Sequence, residues 1–383
     1  MDKRIKIIIQ KTIILSLLIP LATLPMITRY ANYYLDENWS AVWLSWSDDP
    51  MHTVTISWHW GSPRRAYVLV WNDTHTISFT TSDTSELFHI TIDGLSPNSH
   101  YNYVIGYIDS GIAKNWSKIY HFSTAPSETR PFRILVHSDT HAPSYGAFQR
   151  FIKVAMREDY DFIIHCGDMV DDGYERNWAL FLEKETILFS THQLMAIAGN
   201  HEVMYAEKEN YERYMALPGN EYWYYFRYSN AMFIALHIAD YENFVFPDEE
   251  RNMYIEAIKY AEKEELWRIV MLHIPPFDIF PHHSHPDIPK TLLPLLNKYK
   301  PHIVLMGHDH AYCRINLNGT QYVILGPTGG IPNVMIYDDT SVDKYAFGYG
   351  YAIMEITNNT LLFVYKDLRG NVIDSFVITK EGF

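Results

Sequence analysis

Cysteine is scarce in this chain. Two residues, Cys166 and Cys313, in a length of 383 cannot make a disulfide framework, and both read as small buried hydrophobes. Positive charge is also short: 31 Lys and Arg stand against 45 Asp and Glu, a formal charge of −14. That balance speaks against a general affinity for nucleic acid polymers or anionic membranes, which needs clustered Lys and Arg. Long hydrophobic runs are missing too, since a spanning helix needs roughly 20 apolar residues. The longest run, residues 13–27, is broken by Ser16, Pro20, Thr23 and Pro25. No internal repeat or low-complexity segment is visible.

Apolar and aromatic residues are plentiful instead, at 48% and 15% with 29 Tyr, enough for a large β-rich core. The length points to two domains. Lys3, Arg4, Lys6 and Lys11 precede the apolar run, the order of a secretory signal. Residues 1–31 are therefore expected to be a signal peptide, with Ala31 as a candidate cleavage position, or an uncleaved membrane anchor. Asn38, Asn72, Asn115, Asn318 and Asn358 each head an Asn-x-Ser/Thr triplet, the glycosylation acceptor pattern of exported proteins. The expectation is an extracellular or cell-surface glycoprotein.

Residues 39–124 read as all-β. Seven short runs rich in Val, Ile, Trp and Thr, at Val42–Trp46, Val54–Trp58, Ala66–Trp71, Thr76–Thr80, Leu87–Ile92, Tyr101–Tyr107 and Lys118–Ser123, are set off by turn clusters such as Gly61-Ser62-Pro63. That count predicts a β-sandwich. A polar, Pro-flanked stretch, Ala125 to Pro131, marks the boundary, giving a first domain at 32–127 and a second at 128–383. The second alternates strands with helical patterns at Tyr145–Arg157, Glu175–Leu188, Asp248–Glu262 and Ile288–Lys298, which argues for a layered α/β core. It ends in strands at Tyr322–Leu325, Tyr351–Ile356, Thr360–Tyr365 and Val372–Thr379.

Five short pieces carry the chemistry: Asp139-Thr140-His141, Gly167-Asp168, Gly199-Asn200-His201-Glu202, His273, and Gly307-His308-Asp309-His310. Each follows an apolar run that reads as a buried strand, from Phe132, Phe162, Leu194, Ile269 and Ile303 onward. Five such strands bring all five pieces to one sheet edge, where open α/β sheets place their ligands. Carboxylate, imidazole and carboxamide donors without thiolate suit borderline divalent metals such as Mn, Fe, Co, Ni or Zn. Asp139, Asp168, Asn200, His141, His273, His308 and His310 are too many donors for one catalytic ion, which usually takes three protein ligands. With one bridging carboxylate they divide into two shells, an arrangement suited to in-line displacement at phosphorus.

These motifs, together with Asp171 three residues after Asp168, resemble the calcineurin-like metallophosphoesterases. The resemblance implies a four-layer α/β/β/α sandwich and one metal held by Asp139, His141, Asp168 and His310. It implies a second held by Asp168, Asn200, His273 and His308, with Asp168 bridging. His201 is left unligated as the catalytic acid facing the substrate, and Asn200 serves the substrate side as well. Glu202 orients a neighbour. The stretch from Gly94 to Tyr103 resembles a fibronectin type III corner, with Tyr101 bonding back to the preceding turn. A sandwich of that kind ahead of such a domain is similar to the purple acid phosphatases, and places His282 and His283 on the phosphate. The chain departs from that family's pattern at two positions. Asp171 stands where the family has a Tyr ligand, and His141 where it has a Gly, so a colourless protein without specific preference for ferric iron is expected, using two divalent ions (Mn, Fe, Zn or Ni). The expected activity is phosphomonoester hydrolysis. A phosphodiesterase acting on nucleotides or lipid headgroups, and a non-catalytic surface protein, are the alternatives.

Overall fold

The computed structural model describes residues 39–143, 146–205, 207–238, 246–277, 287–334 and 342–382. The expected signal or anchor at 1–31, and His282 and His283, lie outside the described residues. Among the described residues no helix is long and apolar enough to cross a membrane.

The all-β region is one six-stranded sheet rather than seven short strands. Val54–Trp71 is a single strand of 18 residues, and Thr76–Ile92 one of 17. The predicted turn at Gly61-Ser62-Pro63 is an irregularity inside the first of these, where pairing jumps from His59 to Arg64 and Gly61 has φ 71°. A bulge bends a strand without ending it, which is why turn chemistry suggested two strands where one bent strand runs on. Tyr101 does what the corner predicts: its hydroxyl accepts from the Ser96 N–H at 2.9 Å.

The remainder is built on two sheets. One runs Val372–Thr379, Thr360–Asp367, Gly350–Ile356, Phe132–His137, Phe162–His165, Leu194–Ala196. The other runs Tyr224–Tyr228, Ala231–Ala235, Trp267–Met271, Ile303–Met306, Thr320–Ile324, Tyr312–Leu317, Lys344–Ala346. The five motif strands are therefore split, three in the first sheet and two in the second, and do not line one sheet edge. Their ends meet because the sheets face each other. Rings from one sheet, Phe132 and Phe162, pack on Phe233 and Tyr228 of the other, with centroids 4.8–6.5 Å apart. Residues on the opposite face of the second sheet, Met232, Ile234, Val270, Val304 and Met306, pack instead with Tyr254, Ile258, Leu292 and Leu296 of the helices Asp248–Lys263 and Asp287–Tyr299. That period of two is the signature of a sheet buried on both faces.

The hairpin Tyr224–Tyr228 and Ala231–Ala235, turning through Ser229 at φ 50°, was not legible in the sequence. Its second strand is a five-residue apolar run, too short to tell from a helix segment by periodicity. The described residues from Ser40 onward form one compact unit, and the all-β region is tied to the rest by polar and aromatic contacts. Trp43 donates from Nε1 to the Tyr214 carbonyl at 3.1 Å, and the Tyr103 hydroxyl donates to the Ser190 carbonyl at 2.7 Å. Trp46 lies 5.4 Å from Phe162.

One carboxyl group is buried without a hydrogen-bond partner among the described residues. Glu185, on the helix Glu175–Phe189, is fully buried, and neither carboxylate oxygen has a partner among the described residues. Burial pushes its pKa well above the ordinary 4.5, so the folded chain holds a proton that the unfolded chain releases. Stability from this group is complete below about pH 4.5 and falls as pH rises above it. Glu185→Gln is expected to raise the thermal midpoint at pH 8 and not at pH 4. An equal shift at both pH values contradicts the assignment.

Candidate metal centre

All seven predicted ligands converge on one spot. Donor atoms of Asp139, His141, Asp168 and His310 lie within 4.8 Å of one another, and so do those of Asp168, His273 and His308. Asn200 joins the second group: its Oδ1 is 3.1 Å from His273 Nε2 and 2.9 Å from His308 Nδ1. Asp168 belongs to both groups, with Oδ2 3.4 Å from His141 Nε2 and 3.2 Å from His273 Nε2.

Backbone carbonyls aim the rings. Nδ1 of His273 donates to the Cys166 carbonyl at 2.7 Å, Nδ1 of His310 to that of Ile331 at 2.8 Å, and Nδ1 of His201 to that of Asp171 at 2.7 Å. Each bond fixes a tautomer and turns Nε2 inward, the outer support that metal-binding histidines need. The fourth ring, His141, has Nδ1 3.3 Å from Asp171 Oδ1. Asp171 thus meets two rings, one through its carboxylate and one through its backbone.

The backbone around these groups is strained. Asp139, His141, Asp168 and His308 all have positive φ, between 47° and 70°, a region costly for residues with a Cβ and typical of functional sites. Glycines admit the close approach. A Cβ on Gly167 would lie 2.5 Å from His273 Nδ1, and one on Gly330 2.7 Å from both His141 and His310. The loop Thr328-Gly329-Gly330 was not singled out from the sequence. Gly329 and Gly330 donate their N–H groups to the Asp139 carbonyl at 3.1 and 2.9 Å, and the paired glycines after Pro327 were the available signal.

The electrostatics favour cations. Burial disfavours charge on His141 and His273, but the carboxylates of Asp168 and Asp139, with Asp171 beside His141, outweigh it and raise these pKa values to about 10 and about 9. Burial likewise opposes ionisation of Asp168, yet His273 and His141 hold its pKa well below the ordinary range. Asp139 Oδ2 is buried with no hydrogen-bond partner among the described residues. A buried carboxylate oxygen without a donor, inward-facing imidazole nitrogens and clearance at Gly167 and Gly330 fit a divalent metal.

Residues 132–312 match the calcineurin-like phosphoesterase family, so that stretch carries a domain of this kind. The chain is similar to purple acid phosphatases. It is 25% identical over 355 residues to a probable inactive purple acid phosphatase 1 of Arabidopsis thaliana, covering 75% of this chain and 56% of that one. It is also 25% identical over 263 residues to purple acid phosphatase 7 of the same plant, covering 60% and 79%. The chain thus spans little more than half of the first of these relatives. The fold is that of purple acid phosphatase PPD1 from yellow lupin (Lupinus luteus) seeds, with TM-score 0.76, 20% identity, and 90% of this chain matched to 75% of that one. PhoD shares it at TM-score 0.69 and 14% identity, with 90% of each chain matched.

Glu202 holds the loops of Asp168 and Asn200 together. Its Oε2 accepts from the N–H of Asp168 at 2.9 Å and of Gly199 at 2.7 Å, and its Oε1 from Val170 at 3.0 Å. Glu202→Gln would aim an amide N–H₂ at a buried N–H donor, and is expected to lower unfolding free energy by roughly 1–3 kcal/mol in urea titrations. An unchanged midpoint contradicts this role.

Proposed function

We propose that the chain is an exported two-metal phosphomonoesterase. The observation that carries the reading is Asp168, one buried carboxylate common to two groups of donors that otherwise share no residue. Asp139, His141 and His310 would complete one site with it, and Asn200, His273 and His308 the other. Divalent ions held there supply Lewis acidity toward phosphate oxygens and lower the pKa of a water to about 7.

The chain's own residues supply the rest. His201 is the proton donor: its ring stands 4.4 Å from that of His141, and its Nε2 is 4.0 Å from Asp168 Oδ2. The Nδ1 bond to the Asp171 carbonyl orients the ring and leaves Nε2–H to be given to the departing alkoxide. His141 and His201 are both set by Asp171, so the residue in place of a tyrosine ligand acts on orientation and the protein is colourless. The monoester preference draws on the kinship with purple acid phosphatases, some of which carry the word inactive in their names, so turnover has to be measured directly. Export draws on the basic and apolar residues 1–31 and on the exposed acceptors Asn115, Asn318 and Asn358.

The test is steady-state hydrolysis of p-nitrophenyl phosphate and bis-p-nitrophenyl phosphate by protein loaded separately with Mn, Fe, Zn and Ni. Metal-dependent turnover of the monoester is expected, with kcat lowered by about 10² to 10⁴ in His201→Ala and bound metal unchanged. Preference for the diester would make the chain a phosphodiesterase, and no turnover with any metal would leave a non-catalytic role.

A further inference from the structure

Two exposed hydrophobic residues, Tyr205 and Ile331, contact histidines of the candidate site, the first through its ring and the second through its backbone. Ile331 is 80% exposed, more than any other large hydrophobic among the described residues, and its carbonyl accepts from His310 Nδ1 at 2.8 Å. Tyr205 is 47% exposed, with its ring centroid 4.8 Å from that of His201. Between these two residues run three imidazoles in edge-to-face contact, His201 to His141 at 4.4 Å and His141 to His310 at 4.7 Å. The row of rings thus begins beside the exposed ring of Tyr205 and ends at His310, which is hydrogen-bonded to the backbone of the exposed Ile331. Single exposed hydrophobics are ordinary, but two bracketing one polar row make a binding wall. The carboxylates beneath the row, Asp139, Asp168 and Asp171, form ion pairs only with imidazoles among the described residues. Among the described residues no lysine or arginine pairs with these carboxylates.

We propose that Tyr205 and Ile331 hold the alcohol part of the substrate, so that the site selects phosphoesters of apolar alcohols, alkyl or aryl, over those of polyols and sugars. This rests on the phosphoesterase reading above. Linear monoalkyl phosphates from ethyl to octyl test it, because their leaving alcohols have nearly the same basicity and differences in kcat/KM then report contact with the chain rather than chemistry. Each methylene taken fully out of water is worth roughly a factor of four. A rise of at least about tenfold across the series is expected, with glycerol phosphate below propyl phosphate, and the slope is expected to flatten in the double variant Tyr205→Ser, Ile331→Ser. A flat series in the unaltered protein overturns the proposal, as does a slope that survives in the variant. If no ester is turned over, calorimetric binding of ethylphosphonate and octylphosphonate to the metal-loaded chain separates the two failures. Tighter octylphosphonate, lost in the variant, keeps the apolar wall while removing hydrolysis. Equal or absent binding removes the wall.

Discussion

A carboxylate only 1% exposed, Asp168, governs the organisation of this protein. Burying a charge is tolerable only when opposite charge and hydrogen bonds surround it. Here the N–H of His201 reaches its Oδ1 at 3.0 Å, and imidazoles of His141 and His273 approach its Oδ2. Each of those partners is fixed by a further group, Asp171 or a backbone carbonyl. The two sheets, clamped by tilted and edge-to-face aromatics, hold the loops in left-handed conformations that free chain would leave. Stability from the sheets is in this sense converted into a fixed concentration of negative charge, which is what a pair of divalent cations requires.

Much of this was legible in the sequence. Acid and imidazole residues at strand ends announce a site because the chemistry needs those donor types at fixed positions, and all seven ligands expected from the motifs are brought together. Strands buried on both faces, such as Phe132–His137 and Ile303–Met306, were readable as apolar runs, and helices with clear periodicity, such as Asp287–Tyr299, were placed within a residue or two. What could not be read was pairing. Sheet membership depends on contacts between distant segments, so the split of five strands into two sheets left no local mark.

Local signals also misled where tertiary structure overrode them. Gly61-Ser62-Pro63 has turn chemistry, but flanking strands long enough to pair on both sides absorb it as a bulge. Thr328-Gly329-Gly330 carries no metal-binding side chain to single it out, yet the N–H groups of its two glycines brace Asp139, and the absence of a side chain at Gly330 leaves room for two imidazoles. Tyr205 and Ile331 are single apolar residues in polar surroundings, and only their places beside His201 and His310 give them meaning.

The central claim is that one carboxylate joins two metal positions, and metal stoichiometry tests it most directly. Inductively coupled plasma analysis after equilibration with Mn or Zn and removal of free ion should give two ions per chain for the unaltered protein. Asp168→Ala, which takes a ligand from both positions, should hold fewer than one, with the fold retained by circular dichroism. A single ion in the unaltered chain, or two ions kept by Asp168→Ala, would contradict the account.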